Sequence, residues 1–171
     1  MRRSRCVPLA LIVAASGILA ACDRNPAADP TGQTDYVPVD SRGLVSACAV
    51  SPSVKASAVI GAAGGSVSAG GVTFTVPAGA VPAPTEFRVH VPSSQYAEVN
   101  IQANGQEHYQ FLAPVVVSMD YSRCTASEPL AVWHIDPVTK ALLENMGGVN
   151  DALNQRMIFS TMHLSGYAIA N

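Results

Sequence analysis

His163-Leu164-Ser165 sets an imidazole two positions before a hydroxyl, the residue types that an acyl shift requires. In that reaction the Ser165 hydroxyl attacks the Leu164 carbonyl, His163 takes up the proton as base, and backbone strain at the turn raises the ground state. The peptide bond becomes an ester and the chain parts between Leu164 and Ser165. The same residues have a plainer use, bonding backbone groups across a closing hairpin. Thiols are the other reactive groups. Of the 4 cysteines, Cys6 lies inside an apolar leader and Cys22 closes it, which leaves Cys48 and Cys124 in the body of the chain. They can pair as a disulfide in an exported compartment or stay as two buried thiols. Neither has a neighbour at C-x-x-C spacing, so a metal pair is not expected.

Other combinations are weaker. His90, His108, His134 and His163 stand one per segment without zinc-site spacing, and read as satisfied or exposed imidazoles. The glycine-rich stretch 61–71 lacks the Lys-Ser/Thr and following helix of a phosphate loop and reads as turns. Glu107-His108 could form an acid/base pair, and Asp120 an ion pair with Arg123. No cofactor and no metal site are expected.

The leader says where the chain goes. Arg2, Arg3 and Arg5 precede an apolar stretch from Val7 to Ala21, the layout of a cleaved secretory signal. That stretch falls short of the ~20 residues of a spanning helix, and Pro8 spoils it further. Leu19-Ala20-Ala21-Cys22 resembles the lipobox of bacterial lipoproteins, in which the cysteine becomes the first mature residue and carries a diacylglyceride and an amide-linked acyl chain. The resemblance assigns that role to Cys22 and residues 1–21 to the signal peptide, with a plain cleaved signal as the alternative. Several acyl chains on one residue anchor stably where one does not. Without Arg2, Arg3 and Arg5 the 10 basic residues become 7 against 12 acidic ones, a net charge of −5, so attachment to anionic lipid has to be covalent. Asp23 resembles the inner-membrane retention signal of enteric bacteria, which leaves the choice of membrane open.

Those groups need elements to position them. The chain of 171 residues is one domain's worth, and 13% charged residues against 49% hydrophobic ones excludes a disordered polyelectrolyte. The near-even charge, −2 over the whole chain, gives no footprint for nucleic acid. Residues 22–43 are rich in Pro, Asp, Thr and Gly without apolar periodicity and read as a flexible tether. From Leu44 to the end, short apolar or alternating runs separated by turn residues predict an all-β, two-sheet antiparallel β-sandwich over 44–171. The expected strands are Leu44 to Val50, Val54 to Ile60, Val72 to Val76, Glu86 to Val91, Val115 to Tyr121, Leu130 to Ile135, Ala141 to Met146, Met157 to His163 and Ser165 to Ala170. A helix over Val138 to Arg156 competes, but Gly147-Gly148 favours a hairpin. Val115, Val116 and Val117 suggest a strand covered on both faces, and Trp133 is read as core.

Gly64-Gly65-Ser66-Val67, then Gly71 to Ala80 (GVTFTVPAGA), then the strand near Phe87 to Val91, resemble the opening of the ZU-five domain of zonula occludens proteins, netrin receptors and ankyrins. Met162 to Ile169 (MHLSGYAI) is similar to its closing motif. The resemblance spans roughly residues 60–170 and implies a β-sandwich used for protein contact, found in bacteria on secreted proteins and lipoproteins. Some relatives, and adhesion-receptor autoproteolysis domains with His-Leu-Ser or His-Leu-Thr, cut themselves before the hydroxyl residue; Leu164 departs from the commoner Phe. The expected function is therefore protein contact at the bacterial cell envelope without catalytic turnover, with the lipid bilayer met through acylated Cys22, an envelope protein as partner and no nucleic acid. Two other readings stay open: a module cut between Leu164 and Ser165, and a periplasmic small-ligand or sugar-binding sandwich. The last requires Tyr96, Tyr109, Trp133 and Tyr167 to gather in one exposed groove.

Overall fold

The structure is a computed structural model that describes residues 48–127 and 129–171. The signal peptide, Cys22, the tether and the first residues of the strand expected from Leu44 lie outside them. Within them, alternation decides the elements. In Val72–Val76 the apolar Val72, Phe74 and Val76 are buried while Thr75 stays exposed, the two-residue period of a half-buried strand. Eleven strands follow one another among the described residues: β1 (Val54–Ile60), β2 (Gly65–Ala69), β3 (Val72–Val76), β4 (Thr85–Val91), β5 (Glu98–Ala103), β6 (Gln110–Asp120), β7 (Ala131–Ile135), β8 (Leu142–Gly147), β9 (Val149–Asp151), β10 (Arg156–His163) and β11 (Gly166–Ala170). No helix occurs among them.

The strands make two antiparallel sheets, one of six in the order β1-β4-β5-β11-β7-β8 and one of five in the order β2-β3-β6-β10-β9. Their inner faces enclose one core, so the chain from β1 onward is a β-sandwich. Phe74, Phe87 and Phe111 meet at its centre with ring centroids 5.4 to 6.0 Å apart. Gly64 lets the chain turn into β2: its φ is +77°, and a Cβ there would stand 2.6 Å from the Val76 carbonyl oxygen.

The structure departs from the sequence expectation in particular places. Gly65–Ala69 is a strand and not a run of turns, because Val67 and Ala69 still alternate inward against Phe74 and Val72. β5 and β9 are additional to the expected strands; β5 does alternate, with Val99, Ile101 and Ala103 inward, but its other positions are Glu98, Asn100 and Gln102. β6 occupies the middle of its sheet, yet Val116 is 38% exposed, so that strand is covered on one face only. The strand buried on both faces is β11. Trp133 is not in the main core: it packs, half-buried, with Tyr96 on a smaller cluster of Ile135, Leu142, Ala168 and Ala170 on the outer face of the six-stranded sheet. Of the strand expected over Leu44 to Val50, Cys48 makes a single bridge to Cys124, and Ala49 and Val50 are exposed.

Cys48 and Cys124 are joined by a disulfide across 76 positions of sequence. The expected Asp120–Arg123 pair is replaced by other partners. The Arg123 guanidinium donates to the carbonyls of Ala49 (2.6 Å), Ser94 (3.3 Å) and Tyr96 (3.1 Å), while Asp120 lies 4.0 Å from Arg156. The disulfide and the Arg123 fan therefore pin the same stretch of chain to the end of the sandwich. Closing a loop of this length stabilises by ~2 to 4 kcal/mol. Reduction, or replacement of both cysteines by alanine, is expected to lower the unfolding free energy by about that amount in urea titrations; an unchanged midpoint would contradict it.

Candidate functional site

Three of the four histidines, scattered in the sequence, are gathered by the fold at one mouth of the sandwich. His134 on β7 pairs opposite Tyr167 on β11 and so shares its face. His163 ends β10, and its ring centroid is 5.7 Å from that of His134. His108 comes from the connection between β5 and β6. Together with Tyr109, Gln110 and Leu164 they line a cleft of about 320 Å³. On β8, next to His134 in register, Glu144 places Oε2 3.7 Å from Nε2 of His163. No spacing rule on the sequence finds this set, because each imidazole comes from a different segment. Among the described residues no group of three or more His, Cys, Asp or Glu side chains could hold a metal ion.

The backbone beneath the cleft is held by buried hydroxyls. The Tyr167 hydroxyl donates to the His163 carbonyl at 2.5 Å, the Thr161 hydroxyl donates to the same oxygen at 3.0 Å, and the His163 N–H returns a bond to Thr161 Oγ1 at 3.2 Å. Burial pushes the Tyr167 phenol up to about 12, so it remains a donor at any physiological pH. Burial, and then the neighbouring His163, hold the His134 imidazole below its ordinary 6.5; Glu144 opposes them.

Leu164 and Ser165 sit below this surface, 1% and 5% exposed. The Leu164 N–H donates to the Tyr109 carbonyl (3.0 Å), and the Ser165 carbonyl accepts from Ile101 N–H (3.2 Å). The His163 ring meets Glu144 and His134. The two hydroxyl donors aim at the His163 carbonyl, one peptide upstream of the bond that Ser165 would attack. Among the described residues the non-glycine positions of positive φ are Asn104, Lys140 and Gln155, so the left-handed strain that would prime an acyl shift does not fall at Leu164 or Ser165.

A second cleft, of about 100 Å³, opens on the outer face of the six-stranded sheet between His90, Asn100 and the β7–β8 loop. Glu98, 5% exposed, is paired there with the Lys140 ammonium. Asn100 donates from Nδ2 to Glu107 at 3.0 Å and leaves its Oδ1 buried without a partner. Glu107 is thereby engaged with Asn100. The four rings named for a sugar groove divide: Tyr96 and Trp133 lie on this outer face, Tyr109 packs against Phe87 and Phe111, and Tyr167 is wholly buried.

No protein-family model matches the chain, and no curated protein matches it in sequence.

Two outcomes follow from this geometry. An imidazole whose folded pKa is depressed binds its proton more readily in the unfolded chain, so its contribution is intact above 6.5 and is lost as pH falls from 6.5 through the folded value. The thermal midpoint should decline over that window, less steeply in His134→Gln; an identical slope in the variant would count against the burial of His134. Intact mass of the folded, purified protein should give one uncut chain, with no cleavage difference in Ser165→Ala. A Ser165-dependent break after Leu164 would reverse this reading.

Proposed function

We propose that this chain is a lipid-anchored protein of the bacterial cell envelope whose sandwich docks a protein partner through the outer face of its five-stranded sheet. The observation that carries the reading is the absence of charge across the middle of that face. Ser66, Ser68, Thr73, Thr75, Val116, Ser118, Val149, Ile158 and Ser160 point outward in adjoining register, and the charged Asp120, Asp151 and Arg156 stand only at its end. The opposite sheet supplies a contrast within the same molecule. Its outer face carries Lys55, Glu86, Arg88, His90 and Glu98. Centres of protein interfaces are depleted in charge, whereas solvated sheet faces are not.

The face is flat, and half of its side chains are short hydroxyls; Ser68 Oγ and Thr73 Oγ1 are 3.0 Å apart across the β2–β3 hairpin. Short hydroxyls and β-branched residues surrender little rotamer freedom on burial, so a partner of matching uncharged surface meets a low entropic cost. The lipobox-like Leu19-Ala20-Ala21-Cys22 supports the anchor.

Both halves are testable in cells that make the full chain. Radiolabelled palmitate should enter it and fail to enter Cys22→Ser. A photo-crosslinking residue at Val116 should trap a partner that the same residue at Val59, exposed on the opposite sheet, does not, and Ser118→Asp should abolish the adduct. Equal adducts from both faces, or none from Val116, would refute the docking face.

A further inference from the structure

We infer that the second cleft, on the outer face of the six-stranded sheet, binds a neutral sugar by the edge of its ring, with two adjacent hydroxyls seated among Asn100, Glu98, Lys140 and His90. The site lies on the sheet opposite the docking face and does not rest on that reading. Strand register assembles it. His90 on β4, Asn100 on β5 and Gly166 on β11 are successive partners across the sheet, and Glu98, Ala168 and Trp133 make the row beside them. β11 thus places only the small Gly166 and Ala168 between the polar side chains of β5 and the strand that carries Trp133. The loop after β7 brings Lys140 to Glu98.

Three departures from an ordinary solvated surface coincide at this cleft. Glu98 is buried, although a carboxylate rarely is, and the Lys140 ammonium is drawn in to pair with it. Lys140 has φ +62°, a left-handed backbone that a β-carbon disfavours, and its N–H donates to the Asp136 carbonyl at 2.9 Å. The Asn100 amide gives its nitrogen to Glu107, which is not part of the cleft wall, and the oxygen of the same amide is buried with no partner. The two ends of a planar amide point apart, so this oxygen is the end left for the cleft that Asn100 lines. A buried acceptor without a donor requires an explanation, and a hydroxyl entering the cleft supplies one.

Charge and size choose the ligand. Glu98 and Lys140 cancel, and burial, then the nearby Lys55, hold the His90 imidazole below its ordinary value, so the wall carries no net charge near neutrality. An ionic ligand would find no counter-charge there. The wall is instead a mixture: Asn100 Oδ1 and the Glu98 carboxylate accept, the Lys140 ammonium donates, and the His90 ring does either according to its tautomer. A hydroxyl both donates and accepts, and two on adjacent carbons answer such a mixture together. The volume of about 100 Å³ is roughly three water molecules' share of space, room for one edge of a sugar ring and not for the whole ring. Trp133, two strands and so about 9.5 Å across from Glu98, offers the rest of the ring an apolar surface. Binding is the function inferred; no reaction is assigned.

The test is an NMR titration of the full-length, isotope-labelled chain, solubilised in a detergent without a sugar headgroup, with D-glucose, D-galactose and D-mannose. At least one of the three should shift the Gly166 backbone amide and the Asn100 side-chain amide saturably. Ethylene glycol, the smallest molecule with two adjacent hydroxyls, should move the same signals more weakly, and its dimethyl ether, which cannot donate, should not move them. Asn100→Ala and His90→Ala should each weaken sugar binding by roughly fivefold or more, read at Gly166. His108→Ala, in the histidine cleft, should leave it unchanged. His90 is only partly buried, so its variant keeps the fold and separates a lost contact from a lost structure. No shift with any of the three sugars, an equal response to the dimethyl ether, a stronger response to ethylammonium or acetate, or unchanged affinity in His90→Ala would overturn the inference. None of these outcomes bears on the crosslink from Val116.

Discussion

The structure depends on β11 being buried on both of its faces. Every residue from Gly166 to Ala170 is buried, and the strand lies between β5 and β7 in the middle of the larger sheet. Tyr167 and Ile169 point into the space between the sheets, while Gly166, Ala168 and Ala170 face outward under other groups. The outward residues must be small: a Cβ on Gly166 would come within 3.3 Å of the Ile135 carbonyl oxygen. The inward Tyr167 carries more than bulk. Its ring packs on Phe159 with centroids 4.9 Å apart, and its hydroxyl grips the carbonyl of His163. One strand thus ties the two layers together and sets the height at which His163 enters the cleft. A buried hydroxyl with its acceptor removed costs ~1 to 3 kcal/mol, so the turn and the core hold each other in place.

How much of this is legible in the sequence differs from segment to segment, for physical reasons. Val72 to Val76 and Phe87 to Val91 alternate with bulky β-branched or aromatic residues, and the strands stand where that pattern puts them. β2 is hidden because serine and glycine carry little β preference, leaving only Val67 and Ala69 to mark its inner face. β5 is hidden by Asn100 and Gln102, polar residues that tertiary contacts hold in a strand despite their low preference for one. The size of Trp133 argues for the core, but strand parity sends it outward with Ala131 and Ile135, where the small residues of β11 leave room for the indole. The candidate site is the least legible. A cluster of imidazoles is visible when its members are close in sequence, and here His108, His134 and His163 come from separate segments that meet only after both sheets are formed.

The two outer faces give the molecule a division of labour in physical terms. One carries ions and a buried Glu98–Lys140 pair beside the partnerless Asn100 oxygen, and so is committed to water or to small polar groups. The other is neutral through its middle and sheds its hydration at little cost. The edge strands differ as well. β9 is three residues long, too short to template a further strand, which limits edge-to-edge association on the side of the neutral face.

The position of β11 also governs the order of events during folding. Its partners β5 and β7 precede it in the chain, so both keep an open edge until it slots between them, a non-local step of the kind that slows β proteins. Cys48 and Cys124 are both synthesised before that strand. Oxidation of the pair therefore need not wait for it. A covalent tie made early would shorten the remaining conformational search, and with it the time those unpaired edges stay vulnerable to proteases and to one another.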